Sequence, residues 1–107
     1  MFIRVDPSGA DGPRLVEPAD FKAFKIVIAG PRDGTGTERA LSGVAEVTED
    51  GEHAMVGIDA LHRLAGVLAH DAGWQAGLGG MLDYARSKGW VDDGAQARVR
   101  AHLEWEG

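Results

Sequence analysis

Cysteine is absent from this chain of 107 residues. That excludes disulfides, thiol nucleophiles and thiolate metal sites, and leaves the redox compartment open. Long apolar runs are missing too: no stretch approaches the roughly 18 residues that span a bilayer. The N-terminal MFIRVDPSG lacks the basic-then-apolar layout of a signal peptide, so a cytoplasmic protein without a membrane contact is expected. Positive charge is scarce. Eleven Lys and Arg stand against 17 Asp and Glu, for a formal net charge of −6. That balance favours solubility and excludes a nucleic-acid backbone as main partner, since such affinity rests on clustered cations. Arg98 and Arg100 are the local exception.

Catalytic and cofactor signatures are equally thin. Four histidines occur, but His53, His62, His70 and His102 show neither HExxH nor His-x-His spacing, so no metal is expected. No GxSxG surrounds Ser8, Ser42 or Ser87. Gly34-Thr35-Gly36-Thr37 resembles a phosphate-cradling loop, but the dinucleotide fingerprint needs a third glycine at position 39, where Arg stands, with a helix opening behind it. Lacking also a GK[ST], it is read as an ordinary connection running to a strand near Arg39 or Ala40. No cofactor is expected.

What is present is the composition of a folded domain, 44% hydrophobic and 26% charged, of a length suited to one domain over residues 1–107. The stretch Gly43 to Gly66 is the most explicit. Asp50-Gly51 is a dipeptide favoured by two-residue type I′ hairpin turns. The turn sets Thr48 opposite His53, Val47 opposite Ala54, Glu46 opposite Met55 and Ala45 opposite Val56. Ala45, Val47, Ala54 and Val56 then share an apolar face, extended by Leu41 and Ile58. The other face carries Ser42, Glu46, Thr48 and His53, with Val44 and Met55 as apolar members. A helix capped by Asp59, with Leu61, Leu64, Ala65 and Leu68 on one side, follows to cover the apolar face.

Elsewhere, Phe2 to Asp6 alternates and stops at Pro7, as a short strand would, a sheet edge being one place for it. Residues 7–20 are rich in turn-forming residues and read as an irregular loop. Phe21 to Ala29 reads as a strand by its aromatic and β-branched content. Asp71 caps a second helix whose buried stripe is Trp74, Leu78, Met81, Leu82 and Ala85. Lys88, Gly89 and Trp90 mark its end, with Trp90 folding back in a Schellman-type stop. Gly73, Gly77, Gly79 and Gly80 weaken that helix, so something must exploit them: packing within the chain, or a self-association face. Asp93 and Gln96 would suit a capping box, but Arg98 to Trp105 alternates without a break and reads as a half-buried strand.

The expected fold is therefore α+β: a single domain with a mainly antiparallel sheet of four or five strands and two helices packed on one face. Two functions fit it. The first, and the expectation, is a non-catalytic module that binds a copy of itself or a partner protein. The second is a small-molecule-binding protein or proton-transfer enzyme of isomerase or lyase type. It would use His53 and the diagonal Glu46 as the catalytic pair, with Thr48, Met55, Arg98, Arg100 and His102 as ligand-binding candidates on the same polar sheet face.

Overall fold

The alternating segment near the C-terminus forms the longest strand and lies inside the sheet. In the computed structural model, which describes residues 1–9, 12–32 and 34–106, the strands are β1 (Phe2–Val5), β2 (Arg14–Val16), β3 (Lys25–Ile28), β4 (Ala45–Val47), β5 (His53–Gly57), β6 (Val91–Asp92) and β7 (Arg98–Trp105). The helices are α1 (Gly34–Ala40), α2 (Ile58–Ala65) and α3 (Ala72–Ser87), with a 3-10 turn at Gly66–His70 between the last two. The strands form one mixed sheet in the order β2-β1-β3-β7-β5-β4, with β6 also on β7. β3 lies parallel to both β1 and β7, and the remaining pairs are antiparallel. The molecule is thus a single α+β domain whose sheet is mixed, with more strands than expected and a third helix.

Strand alternation sorts the side chains. Ile3, Val5, Ile26, Ile28, Ala54, Val56, Val99, Ala101 and Leu103 point to one face and are all buried. The α3 stripe Trp74, Leu78, Met81, Leu82 and Ala85 joins them in one core, together with Leu61 of α2 and Leu41 behind α1. Burying each large aliphatic side chain contributes about 1.5–3 kcal/mol, so this shared face outweighs the weak helix propensity of the α3 glycines. Among the described residues no helix lies over the opposite face.

Local expectations survive where the local signal was strong. The β4–β5 register is the expected one, with Ala45 opposite Val56, Glu46 opposite Met55 and Val47 opposite Ala54. The turn itself differs. Gly51 N–H donates to Thr48 O at 3.0 Å with Gly51 at φ +69°, while Asp50 keeps a negative φ, so this is no type I′ turn. The Asp50 carboxylate accounts for the difference: it accepts from the Thr48 hydroxyl and from the Glu52 N–H, which closes the loop around the side chain. The end of α3 is a full Schellman motif. Trp90 N–H donates to Ala85 O at 2.9 Å and Gly89 N–H to Arg86 O at 3.0 Å, with Gly89 at φ +77°.

Other expectations are corrected. The loop over 7–20 contains β2, because Leu15 and Val16 find Ile3 and Phe2 as partners; residues 10 and 11 lie outside the described set. β1 is in consequence no edge strand. The strand expected over Phe21–Ala29 begins only at Lys25. In place of a strand near Arg39, α1 forms, since Thr37 and Leu41, four apart, both bury against the core and the Trp105 indole donates to the Thr37 hydroxyl at 3.1 Å; residue 33 of the preceding loop lies outside the described set. Leu41 is therefore not a strand residue. Nor is Ile58, which opens α2, with Gly57 rather than Asp59 at the cap.

Candidate functional site

The residues before β3 are held as a wall. Trp74 Nε1 donates to Pro18 O at 2.9 Å, and the Met1 amino group donates to Asp20 O at 2.8 Å and Ala23 O at 3.1 Å. Phe21 lies directly on α3. A Cβ on Gly77 would stand 2.2 Å from Phe21 Cε2, so a glycine there is what seats the ring. The facing wall comes from the Schellman stop. Trp90, turned back by Gly89, accepts from Arg100 N–H at 2.8 Å, and the Arg100 guanidinium stands 5.3 Å over the Trp90 ring. Trp90 in turn meets Tyr84 edge-on at 6.1 Å, and Lys88 Nζ lies 5.6 Å from the Tyr84 ring centre.

Between these walls the sheet is broken. β3 covers one edge of β7 from His102 onward, and β6 covers the same edge only at Arg98 and Val99. At Ala101, between the two, no strand of the described residues lies beside that edge. A cleft of about 360 Å³ opens there, within the size range of small-molecule sites. Met81, Ala85 and Val99 reach it from the core side; His53, Arg100 and His102 reach it from the helix-free face; Phe21 and Phe24 close it on the β3 side. Among the described residues no acidic side chain lines it.

The sequence candidates divide around this cleft. His53 and His102 sit opposite each other on β5 and β7, their rings edge to face at 5.4 Å, and both line the cleft together with Arg100. Glu46, Thr48, Met55 and Arg98 lie outside its lining. Glu46 does not serve His53: Arg98 reaches Glu46 with one nitrogen at 3.3 Å and Asp92 with the other at 3.2 Å. The carboxylate beside His53 is Asp50, 3.0 Å from Nδ1. Because an ionised carboxylate only accepts, Nδ1 carries the proton, and Nε2 is the nitrogen left to act on a ligand. The Thr48 hydroxyl, the Glu52 N–H and the His53 ring hold the Asp50 carboxyl well below the usual carboxylate range. His62 is occupied elsewhere, with Nδ1 2.8 Å from Ile58 O and its ring against Trp74. Among the described residues no three His, Asp or Glu side chains converge as a metal site would require, and no helix is long and apolar enough to cross a membrane.

Comparison with protein-family models, curated proteins and solved structures finds no match for the chain. Its function has to be argued from its own geometry.

Of the twelve residues lining the cleft, the sequence candidates include only His53, Arg100 and His102. Phe21 and Phe24 fall within the strand expected over Phe21 to Ala29, and Trp90 is expected only as the residue that ends the second helix. One available signal was Tyr84, which falls off the buried stripe of α3 yet stands one turn before the stop that returns Trp90 to it. Asp50 was visible only as a turn residue.

Proposed function

We propose that this protein binds a small, largely apolar organic molecule in the cleft at the β7 break. The observation that carries this is the break itself: a gap between β3 and β6 along one edge of β7, walled by aromatic side chains, with imidazole and guanidinium groups at one side and a core-facing apolar floor. An apolar concavity with a few convergent polar groups is the arrangement small-molecule sites share. The partner-binding module gains less support. On the helix-free face Lys25 pairs with Glu104 at 2.6 Å, Arg98 with Glu46 and Asp92, and Arg4 with Glu106. Covering that face would desolvate charges already satisfied within the chain. On α3, Gly77 is used by Phe21, so the small residues do not form one open stripe.

Fragment titration followed by amide NMR tests the proposal. Saturable shifts confined to 21–24, 84–85, 90 and 99–102 are expected. Shifts scattered over the exposed side of α3, or a dimer by light scattering that buries the cleft, would return the argument to self-association.

A second reading has one observation of its own, the Asp50 contact that fixes the His53 tautomer. With Nδ1 turned to Asp50, Nε2 is the His53 nitrogen available to take a proton from a bound carbon acid. Deuterium exchange at the α-carbon of phenylacetone should then be accelerated by the protein and lost in His53→Gln. Exchange at the buffer rate removes this role and leaves binding untouched.

A further inference from the structure

The charges around the cleft are one-sided in a chain that is not. Asp and Glu outnumber Lys and Arg, yet every chargeable side chain lining the cleft, Lys22, His53, Arg100 and His102, is basic or can become so, Tyr84 aside. The cations nearby on the inner strands are neutralised: Lys25 by Glu104 and Arg98 by Glu46 and Asp92. Arg100 is not. Among the described residues its side chain makes no ion pair and donates no hydrogen bond; its guanidinium stands over the Trp90 ring.

That contact matters for what Arg100 can do. With the guanidinium carbon over the ring and no donor spent on another of the described residues, the N–H groups are left to take a carboxylate, which a guanidinium does with two parallel hydrogen bonds. Trp90 is itself fixed by the Schellman stop and by the backbone bond to Arg100, so the guanidinium is held in place before any ligand arrives. Resting on the cleft proposed above, we propose that its ligand is a monocarboxylate with an aromatic or branched apolar body. The carboxylate lies against Arg100 and His102, and the body lies between Phe21, Phe24 and Met81. Lys22 stands on the rim and adds to the attraction without fixing orientation. Asp50 does not compete for the site, because it is spent on Thr48, Glu52 and His53.

The test uses three probes of one shape and different charge: phenylacetate, phenethyl alcohol and phenethylamine, titrated into the full chain by NMR. Phenylacetate should bind about tenfold more tightly than the alcohol, the scale of one charge-assisted pair, with the amine weakest. Arg100→Gln should cost phenylacetate about tenfold and leave the alcohol within about twofold. Should that variant fold poorly, salt gives the same answer on the unmodified chain: half-molar sodium chloride should weaken phenylacetate severalfold and leave the alcohol unchanged. Equal binding of acid and alcohol at the cleft would overturn the carboxylate and keep the cleft. Tighter binding of the amine would overturn it as well. No binding of any probe would overturn both.

Discussion

Gly77→Ala is the perturbation that most directly tests how the cleft is built. Replacing a helix-interior glycine by alanine ordinarily stabilises by about 1 kcal/mol, since alanine loses less backbone entropy. At Gly80 nothing lies within 4 Å of the added methyl, and the full gain is expected. At Gly77 the methyl would meet Phe21 Cε2 at 2.2 Å and two further ring atoms at 2.5 Å. Contact that close cannot be absorbed by small adjustments, so the ring must swing out or the 18–24 segment must lift. Overpacking of this kind costs about 1–3 kcal/mol. Set against the helix gain, Gly77→Ala should be neutral to about 2 kcal/mol destabilising, and separated from Gly80→Ala by about 1–3 kcal/mol. Guanidinium denaturation followed by far-ultraviolet circular dichroism measures both variants. The decisive comparison adds Phe21→Ala: with the ring gone, Gly77→Ala should become stabilising, by about the 1 kcal/mol seen at Gly80. If Gly77→Ala matches Gly80→Ala while Phe21 is present, Phe21 is not seated on α3 and this wall of the cleft is misplaced.

Three further outcomes are expected. Trp105→Phe removes the donor to the Thr37 hydroxyl, which is 1% exposed, and should cost about 1–3 kcal/mol in chemical denaturation; adding Thr37→Val should recover part of that loss, and no recovery would count against the bond. Gly89→Ala places a side chain at φ +77° and should destabilise by about 1–2 kcal/mol while broadening the Trp90 indole resonance; an unchanged midpoint would argue against the Schellman stop. Asp50 is more acidic folded than unfolded, so below about pH 4 the unfolded chain binds more protons and stability falls with falling pH. Asp50→Asn should therefore lower the thermal midpoint at neutral pH, with the gap from the unmodified protein closing toward pH 2; a gap constant over that range would show that the loop does not depend on the carboxylate's charge.

The parts legible in the sequence are those whose causes lie within a few residues. The β4–β5 register follows from one turn, the α3 stripe from a single period, the α3 stop from Gly89 and Trp90, and β7 from unbroken alternation. The parts that were not legible depend on distant partners. β2 is three residues whose only local cue is Leu15-Val16, and it exists because β1 is beside it. α1 carries two glycines and little helix propensity, and its place is set by the burial of Thr37 under Trp105, 68 positions away. The same distinction holds at the site. His53 and His102 were both named from their faces, but their juxtaposition depends on β5 and β7 being neighbours. The polar face was read as a uniform surface, and the break in it could not be seen without knowing that β3 and β6 share one edge of β7. Glu46 lies diagonal to His53 on one face in the hairpin register, but Arg98 arrives on β7 and takes it.

β7 bonds to β3 on one side and β5 on the other, and every other strand precedes it in the chain. During synthesis the β1–β3 portion and the β4–β5 hairpin are each half of a sheet, and the edges that will face each other stay open until Arg98 to Trp105 has been made. Neither half can complete its core alone, since Val99, Ala101 and Leu103 supply its middle. Assembly is then a late insertion that closes two sheets into one, with long-range parallel pairing formed last, the slow end of folding topologies. Until that step the unpaired edges of β3 and β5 are open to strands of other nascent chains, so the yield of soluble protein should depend on how soon the last strand arrives.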